Sequence, residues 1–330
     1  MKAVVCTAYG PPEVLQVREL PKPTPRAGEV LVRIHATTVH VGDVRIRSFS
    51  VPRAQWIFAR LFLGIFKPRK SVLGMELAGE IAEVGSGVTG FEEGDPVFGF
   101  TGFGFGAYAE YICLPAEGGG AKGGFLAHKP AALSYGEAAP IAGGGITALL
   151  ILRLADIQPG HRVLIYGASG SVGTYAVQIA KSQGAEVTAV CSTRNLDLVR
   201  SLGADNVLDY TKEDFTESGE TYDVVFDAVD KFPPSRSKTA LKPSGVYLNA
   251  VASSDGLKIE TKDLLFLKEL VEAGELKTVV DRCFSLDQIA EGHRYVEKGH
   301  KVGNVIITVS AATSESELEE LSPAAEESND

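Results

Sequence analysis

The 330-residue sequence is poor in cysteine, methionine and tryptophan, with four, two and one of them. Cys6, Cys113, Cys191 and Cys283 lie far apart and never as CxxC, which argues against both a cysteine-cluster zinc site and a disulfide framework. A reducing cytoplasm fits that usage. Long hydrophobic runs are missing too. Residues 141–152 stop at Arg153 and residues 56–66 are broken by Arg60, both short of the ~20 apolar residues that cross a bilayer. MKAVVCTAYG opens as a strand, without the apolar core and small-residue cleavage site of an export signal. Basic charge is scarce, with Lys and Arg at 32 against 42 Asp and Glu and a net charge of −10, so nucleic acid is not an expected partner. Much of that excess follows Ala311, where seven acidic residues meet no basic one. Short of aromatics and rich in Ser, Glu and Ala, residues 311–330 are expected to form a disordered acidic tail.

What is present is a large apolar inventory, 45% of the chain, enough for two domains. Its focus is VLIYGASGSVGTYAVQIAK, residues 163–181. The first residues are a β-branched, buried-strand run; Gly167, Ala168, Ser169, Gly170, Ser171, Val172 and Gly173 turn it into a helix. Gly167 permits the tight turn, Gly170 lets a pyrophosphate approach the backbone, and Gly173 lets helix pack on strand, with free N–H donors at the helix N-terminus. Further strand and helix patterns at 186–191, 195–202 and 206–208 give the alternation of a doubly wound parallel sheet. A sheet built for NAD usually has an acidic residue about 20 positions past the loop, on the ribose 2′-hydroxyl. That carboxylate is absent. The chain reads Cys191, Ser192, Thr193, Arg194, and hydroxyls beside a guanidinium suit a 2′-phosphate, so NADPH is the expected cofactor.

Upstream, strand patterns at 3–6, 14–19, 30–39, 77–84, 97–100 and 108–114, with glycine and proline turns and no helical pattern before 51–66, predict an antiparallel β domain. A helical run at 135–152 leads into the glycine loop. Strands at 222–228, 245–250 and 302–309 and helices at 235–241, 262–273 and 286–297 follow.

PTPRAGEVLVRIHA from Pro23, GMELAGEIAEVGSGVTGFEEGDPVFGF from Gly74, GAYAEY from Gly106, AAPIAGGGITAL from Ala138, the glycine loop, SLGADNVLDY from Ser201, YDVVFDAV from Tyr222 and KVGNVIITV from Lys301 together resemble the medium-chain dehydrogenase/reductase superfamily across residues 1–310. The resemblance implies an α/β fold, a Rossmann-type doubly wound parallel sheet domain inserted into a GroES-like antiparallel β domain: 1–125 catalytic, 126–272 NADPH-binding, 273–310 returning to the catalytic domain, with the active site in the cleft between them. It implies Thr147 against the nicotinamide, Ser192, Arg194 and Tyr210 around the 2′-phosphate, Val229, Ala250 and Val251 lining the nucleotide cleft, and Gly303 and Asn304 reaching the cofactor. Tyr210 reads equally as a packing aromatic.

The superfamily's zinc ligands are absent. His40 stands at the first position, Gly74, Met75 and Glu76 replace GHE, and Gly144 takes the third ligand's place; thioether and glycine cannot complete a tetrahedral N/S/O site. Without a Lewis acid for a developing alkoxide, a conjugated acceptor fits better, because an enolate or hydroquinone spreads its charge. The chain is similar to the zinc-independent quinone oxidoreductase branch, with a small apolar carbonyl or quinone as substrate. An alcohol dehydrogenase-like enzyme and a catalytically weak NADPH-binding sensor are the alternatives. His40 is the expected catalytic residue, as proton donor or polariser of substrate oxygen, beside the plain reading of a structural histidine. WIFARLFLGIF, 56–66, either caps a pocket, touches a membrane surface or packs in the core, and Phe103, Phe105 and Tyr108 are pocket walls or strand packing. The link after Leu248 is shorter than the family's, which weakens the expectation of a homodimer through an edge strand there.

Overall fold

The computed structural model describes residues 1–51, 56–254 and 256–309; the expected acidic tail lies outside them. The strands are β1 (Lys2–Cys6), β2 (Leu15–Glu19), β3 (Glu29–Thr38), β4 (Glu76–Val84), β5 (Pro96–Phe100), β6 (Tyr111–Pro115), β7 (Phe125–His128), β8 (Arg162–Tyr166), β9 (Glu186–Cys191), β10 (Asn206–Asp209), β11 (Tyr222–Asp227), β12 (Leu241–Asn249), β13 (Val280–Ser285) and β14 (Asn304–Thr308). They fall into two compact units. The first comprises Met1–Gly143, Glu260–Leu265 and the described residues from Val280 on; the second comprises Gly144–Ile259 and Phe266–Val279.

In the first unit β1 and β2 pair antiparallel, and a seven-stranded sheet runs β13-β14-β3-β4-β5-β7 with β6 also on β3. Alternation does the sorting. Val30, Val32 and Ile34 of β3 point to one apolar cluster with Leu77, Ile81 and Val97, whereas Val305 and Ile307 of β14 join Leu73, Tyr108 and Ile289 in another, as period-2 side chains must. The unit reaches Gly143, past the expected limit near 125, because β7 pairs with β5, Val97 opposite His128, and the 139–142 turn packs on β3, β4 and β5. It resumes at Val280, where β13 joins β14 in parallel.

The second unit is a five-stranded parallel sheet in the order β10-β9-β8-β11-β12. That is the doubly wound order with its switch between β8 and β11. The short link after β12 carries no further strand among its described residues, so β12 is the sheet's edge. Helix Ser171–Ser182 buries Tyr175, Ala176, Val177, Ile179 and Ala180, the apolar stripe of an amphipathic helix.

The expected 135–152 helix is broken into Tyr135–Ala138, a tight turn Ala139–Ala142 and Gly144–Arg153, since Pro140 lacks an N–H and Gly143 weakens the next turn. By length and composition Tyr135–Arg153 could cross a membrane, but most of it is buried within the fold, as in a core helix. Helix Val41–Ser48 has no counterpart among the expected elements, and neither do β7 and β13.

Candidate active site

In the second unit the glycine loop leaves β8 and enters helix Ser171–Ser182. Gly167 has φ +78°, and a Cβ there would meet Val229 Cγ1 at 2.5 Å. Val229 thus closes the turn from the end of β11. At Gly173 a Cβ would lie 2.2 Å from the Gly167 carbonyl oxygen and 2.8 Å from Ala168 Cα, so helix and strand approach through a bare backbone. Gly170 differs: the nearest atom to its Cβ position is 3.4 Å away, and as helix N-cap it provides no side-chain cap. Space and N–H groups coincide there, as an anion site requires. This loop could hold a pyrophosphate.

Beside it, Asn195, a buried residue the sequence did not single out, donates through Nδ2 to Ser169 Oγ at 3.0 Å and Ser192 Oγ at 3.2 Å. Each serine oxygen accepts from Asn195, so each O–H is left to donate elsewhere. The parallel register sets Cys191 opposite Asp209, which brings Ser192, Arg194 and Tyr210 to one carboxyl edge; Tyr210 is exposed, its N–H on the Cys191 carbonyl. The Asp209 carboxylate at this edge is occupied. It accepts from Thr193 Oγ1 and, at 2.6 Å, from Thr211 Oγ1, with Lys212 at 3.5 Å; the threonine hydroxyls hold its pKa down, to about 2. Thr147 sits on Gly144–Arg153, half-buried where its helix neighbours are buried. Ala250 donates its N–H to the Asp227 carbonyl and Val251 donates to Asn249 Oδ1, both just past β12.

The remaining expected residues are in the first unit. Helix Val41–Ser48 is fixed by two buried ionisable side chains. Asp43 Oδ1 accepts the Gly74 N–H at 3.0 Å, and Arg47, fully buried, donates to the Gly10 carbonyl and pairs with Glu297. His40 is the helix N-cap, and its Nδ1 accepts the Gly42 N–H at 3.0 Å. A nitrogen that accepts carries no proton, so the neutral ring is protonated at Nε2. Burial, with Lys301 and Arg45 nearby, pushes the pKa of His40 down to about 4, so near neutral pH the uncharged ring presents an Nε2–H donor. Its side chain is 27% exposed.

Facing it is Glu76, 2% exposed at the start of β4. Thr38 Oγ1 donates to Glu76 Oε2 at 2.6 Å. Oε1 lies 3.9 Å from His40 Nε2 and has no hydrogen-bond partner among the described residues. Burial pushes the Glu76 carboxyl up to about 8, with Asp43 adding to the rise, and burial lowers Lys301 to about 8 against the pull of Glu76 and Asp281. Lys301 Nζ donates to the Gly303 carbonyl at 2.5 Å. Val39 donates its N–H to the Val305 carbonyl, and this pairing sets Gly303 and Asn304 next to His40. Glu76 and Lys301, absent from the expected site residues, therefore join His40 in one cluster. Glu76 stands at the acidic end of the triplet that replaces GHE, whereas no spacing signal marks Lys301.

The donor set does not fit zinc. His40 and Glu76 stand together, but the residue against Glu76 Oε1 is Gly143, whose Cβ position is 1.7 Å away. Gly144, the residue expected in the third ligand's place, faces Ser171 Oγ and Tyr175. Among the described residues no three of His, Cys, Asp and Glu group as ligands, one short of the three protein ligands of a catalytic zinc. Of the aromatics proposed as pocket walls, Tyr108 is core, its hydroxyl 3.2 Å from His293 Nε2. Phe105 is buried and Phe103 is exposed.

Family models for the alcohol dehydrogenase GroES-like domain match residues 26–120, and models for zinc-binding dehydrogenase match 171–274 and 247–307. The chain is 33% identical to the chloroplastic quinone-oxidoreductase QR1 of Triphysaria versicolor, over 93% of this chain and 98% of that protein. It is 30% identical to the chloroplastic NADPH-dependent alkenal/one oxidoreductase of Arabidopsis thaliana, over 93% and 79%. The quinone oxidoreductase structure from Coxiella burnetii superposes with a TM-score of 0.81 at 30% identity, over 94% of this chain and 99% of that one. With these matches over a GroES-like sheet, a parallel nucleotide-type sheet and the glycine loop, the chain belongs to the medium-chain dehydrogenase/reductase superfamily, in its quinone oxidoreductase-like branch.

Proposed function

We propose that the protein is an NADPH-dependent reductase of quinones or α,β-unsaturated carbonyls that works without a metal Lewis acid. The observation that carries this reading is the neutral His40, with Nδ1 tied to the Gly42 N–H and a zinc ligand set that stops at two residues. The nucleotide, when bound, supplies a hydride. The chain supplies the rest. Gly170, the helix N-terminus and the Ser169 hydroxyl bind the pyrophosphate; Ser192 and Arg194 take the 2′-phosphate; Thr147, Val229, Ala250 and Val251 border the nucleotide, and Gly303 and Asn304 approach it. His40 Nε2–H donates to the substrate oxygen on which negative charge develops, a task for one or two fixed donors when the acceptor is conjugated. Glu76, held protonated by burial, and Lys301 keep a proton behind His40 for the oxygen or carbon that needs it.

NADPH oxidation should proceed with quinones and enones, resist a chelator, and exceed NADH oxidation; chelator-sensitive turnover would refute the metal-free mechanism. Ser192→Asp with Arg194→Gln should cut kcat/KM for NADPH by roughly 10–100-fold, the worth of a charge-assisted contact, and raise that for NADH. Equal losses with both cofactors would remove the 2′-phosphate assignment. His40→Ala should lower kcat by about 100-fold at unchanged NADPH affinity. His40→Asn, which keeps both a capping group and an N–H donor, should recover most of the loss, an outcome a purely structural histidine would not produce.

A further inference from the structure

Helix Trp56–Leu63 and the turn after it are inside out. Ile57, Phe58, Leu61, Phe62, Ile65 and Phe66, repeating at the four-residue interval of one helix face, all point to solvent. Phe58 is 76% exposed and Phe66 86%. The polar residue faces inward instead: the Arg60 guanidinium lies 4.0 Å from the centroid of Phe49, 4.7 Å from Tyr9 and 4.8 Å from Trp56, and donates to the Ile65 carbonyl. Tyr9 OH donates to the Gly64 carbonyl at 2.9 Å. An ordinary surface helix turns its apolar stripe to the core; this one is anchored by its cation.

Charge says what lies against it. From Val44 to Met75 the sequence holds seven basic residues and no acidic one, in a chain of net charge −10. Lys67, Arg69 and Lys70 are exposed immediately after the apolar face and have no carboxylate partner among the described residues. A second copy seated symmetrically on the same patch would set like charges face to face. Hydrocarbon takes large apolar side chains without asking for directed contacts, and headgroup phosphates take the cations at its rim.

We propose that the 56–70 segment docks the protein on an anionic lipid surface, lying in the interface rather than crossing it. Trp56 is the sole tryptophan and half-exposed, so its emission reports the event. Vesicles of phosphatidylcholine with about a third phosphatidylglycerol should co-sediment with the full-length protein and shift Trp56 emission to the blue; pure phosphatidylcholine should do so weakly, and about 0.5 M salt should reverse most of the binding. Phe58→Ser with Phe66→Ser should abolish co-sedimentation. Lys67→Gln, Arg69→Gln and Lys70→Gln together should weaken it on the order of a hundredfold, with turnover of a water-soluble quinone unchanged in both variants. Three results overturn the proposal: no co-sedimentation, co-sedimentation indifferent to these substitutions, or a blue shift without lipid. Such a shift names a second copy if it grows with protein concentration, and the chain's own acidic end if deleting residues 311–330 removes it.

Discussion

Gly173→Ala is expected to lower both the thermal stability of the protein and its affinity for NADPH, although alanine is the better helix former by about 1 kcal/mol. The added methyl would stand 2.2 Å from the Gly167 carbonyl oxygen, with Ala168 Cα and C at 2.8 and 2.9 Å. These are backbone atoms and cannot rotate away, so the helix must lift off β8. Overpacking of this kind costs about 1–3 kcal/mol, and in a unit of this size the net loss should lower the melting temperature by roughly 5 °C. Moving the helix also misaims its N–H groups, and NADPH should bind at least about tenfold more weakly because several charge-assisted contacts are shared out along that turn. Gly170→Ala is the control. Its φ of −81° and ψ of 176° suit any residue, and its Cβ would find the nearest atom at 3.4 Å, so the melting temperature should hardly move while the methyl fills the space the pyrophosphate needs. Calorimetry and NADPH titration of the two variants separate packing from binding; a Gly170 variant with intact affinity would remove the loop from the cofactor site.

The same contrast explains how much of the molecule its sequence discloses. A buried parallel strand followed by glycines at fixed offsets is a local pattern with a local cause, and β8, the loop and helix Ser171–Ser182 appear where the residues place them. β3 and β4 are legible for a similar reason, as long β-branched runs between glycine and proline turns. Helix Val41–Ser48 is not. Its apolar residues are β-branched valines and an isoleucine, with Gly42 in the first turn, and what holds it is a pair of buried ionisable side chains, Asp43 on the Gly74 N–H and Arg47 on Glu297, whose partners are 31 and 250 residues away. β7 is four residues long and β13 carries an Asp and an Arg, so neither outscores a loop until its neighbour is in place. The site divides likewise. His40 is visible because it stands in a known position, whereas its tautomer depends on capping a helix that the sequence does not announce. Glu76 too stands in a known position, the last of the triplet that replaces GHE, but nothing local shows that it is buried. Its burial, the empty side at Gly143 and the proximity of Lys301 come from three separate stretches of chain. Asn195, which aims two serine hydroxyls, is silent in sequence because an asparagine opening a helix is ordinary.

The buried Glu76 makes stability depend on pH in a stated direction. Its carboxyl sits at about 8 in the folded protein against 4.5 ordinarily, so between those values the folded chain holds a proton the unfolded chain has released. The contribution is complete below 4.5 and is lost as pH rises through 8, at up to about 1.4 kcal/mol per pH unit. Asp43, raised by burial to about 7, acts in the same sense. His40 and His293, lowered by burial to about 4 and about 3, act in the opposite sense and destabilise the fold as pH falls below their ordinary 6.5. Glu76→Gln keeps the shape and the neutrality of the protonated acid and discards its ionisation. Denaturation of the variant and the wild type should therefore give similar stabilities near pH 4.5 and diverge above it, with the variant more stable by roughly 2–4 kcal/mol at pH 8. Because Gln accepts the Thr38 hydroxyl as the carboxyl does but yields no proton, the same variant should keep NADPH affinity and lose turnover most below about pH 8, where the wild-type carboxyl still holds its proton, with the two enzymes converging above it. Stability curves that run parallel across that range would mean that Glu76 is ionised in the folded protein, and the proton store behind His40 would then have to be Lys301 alone.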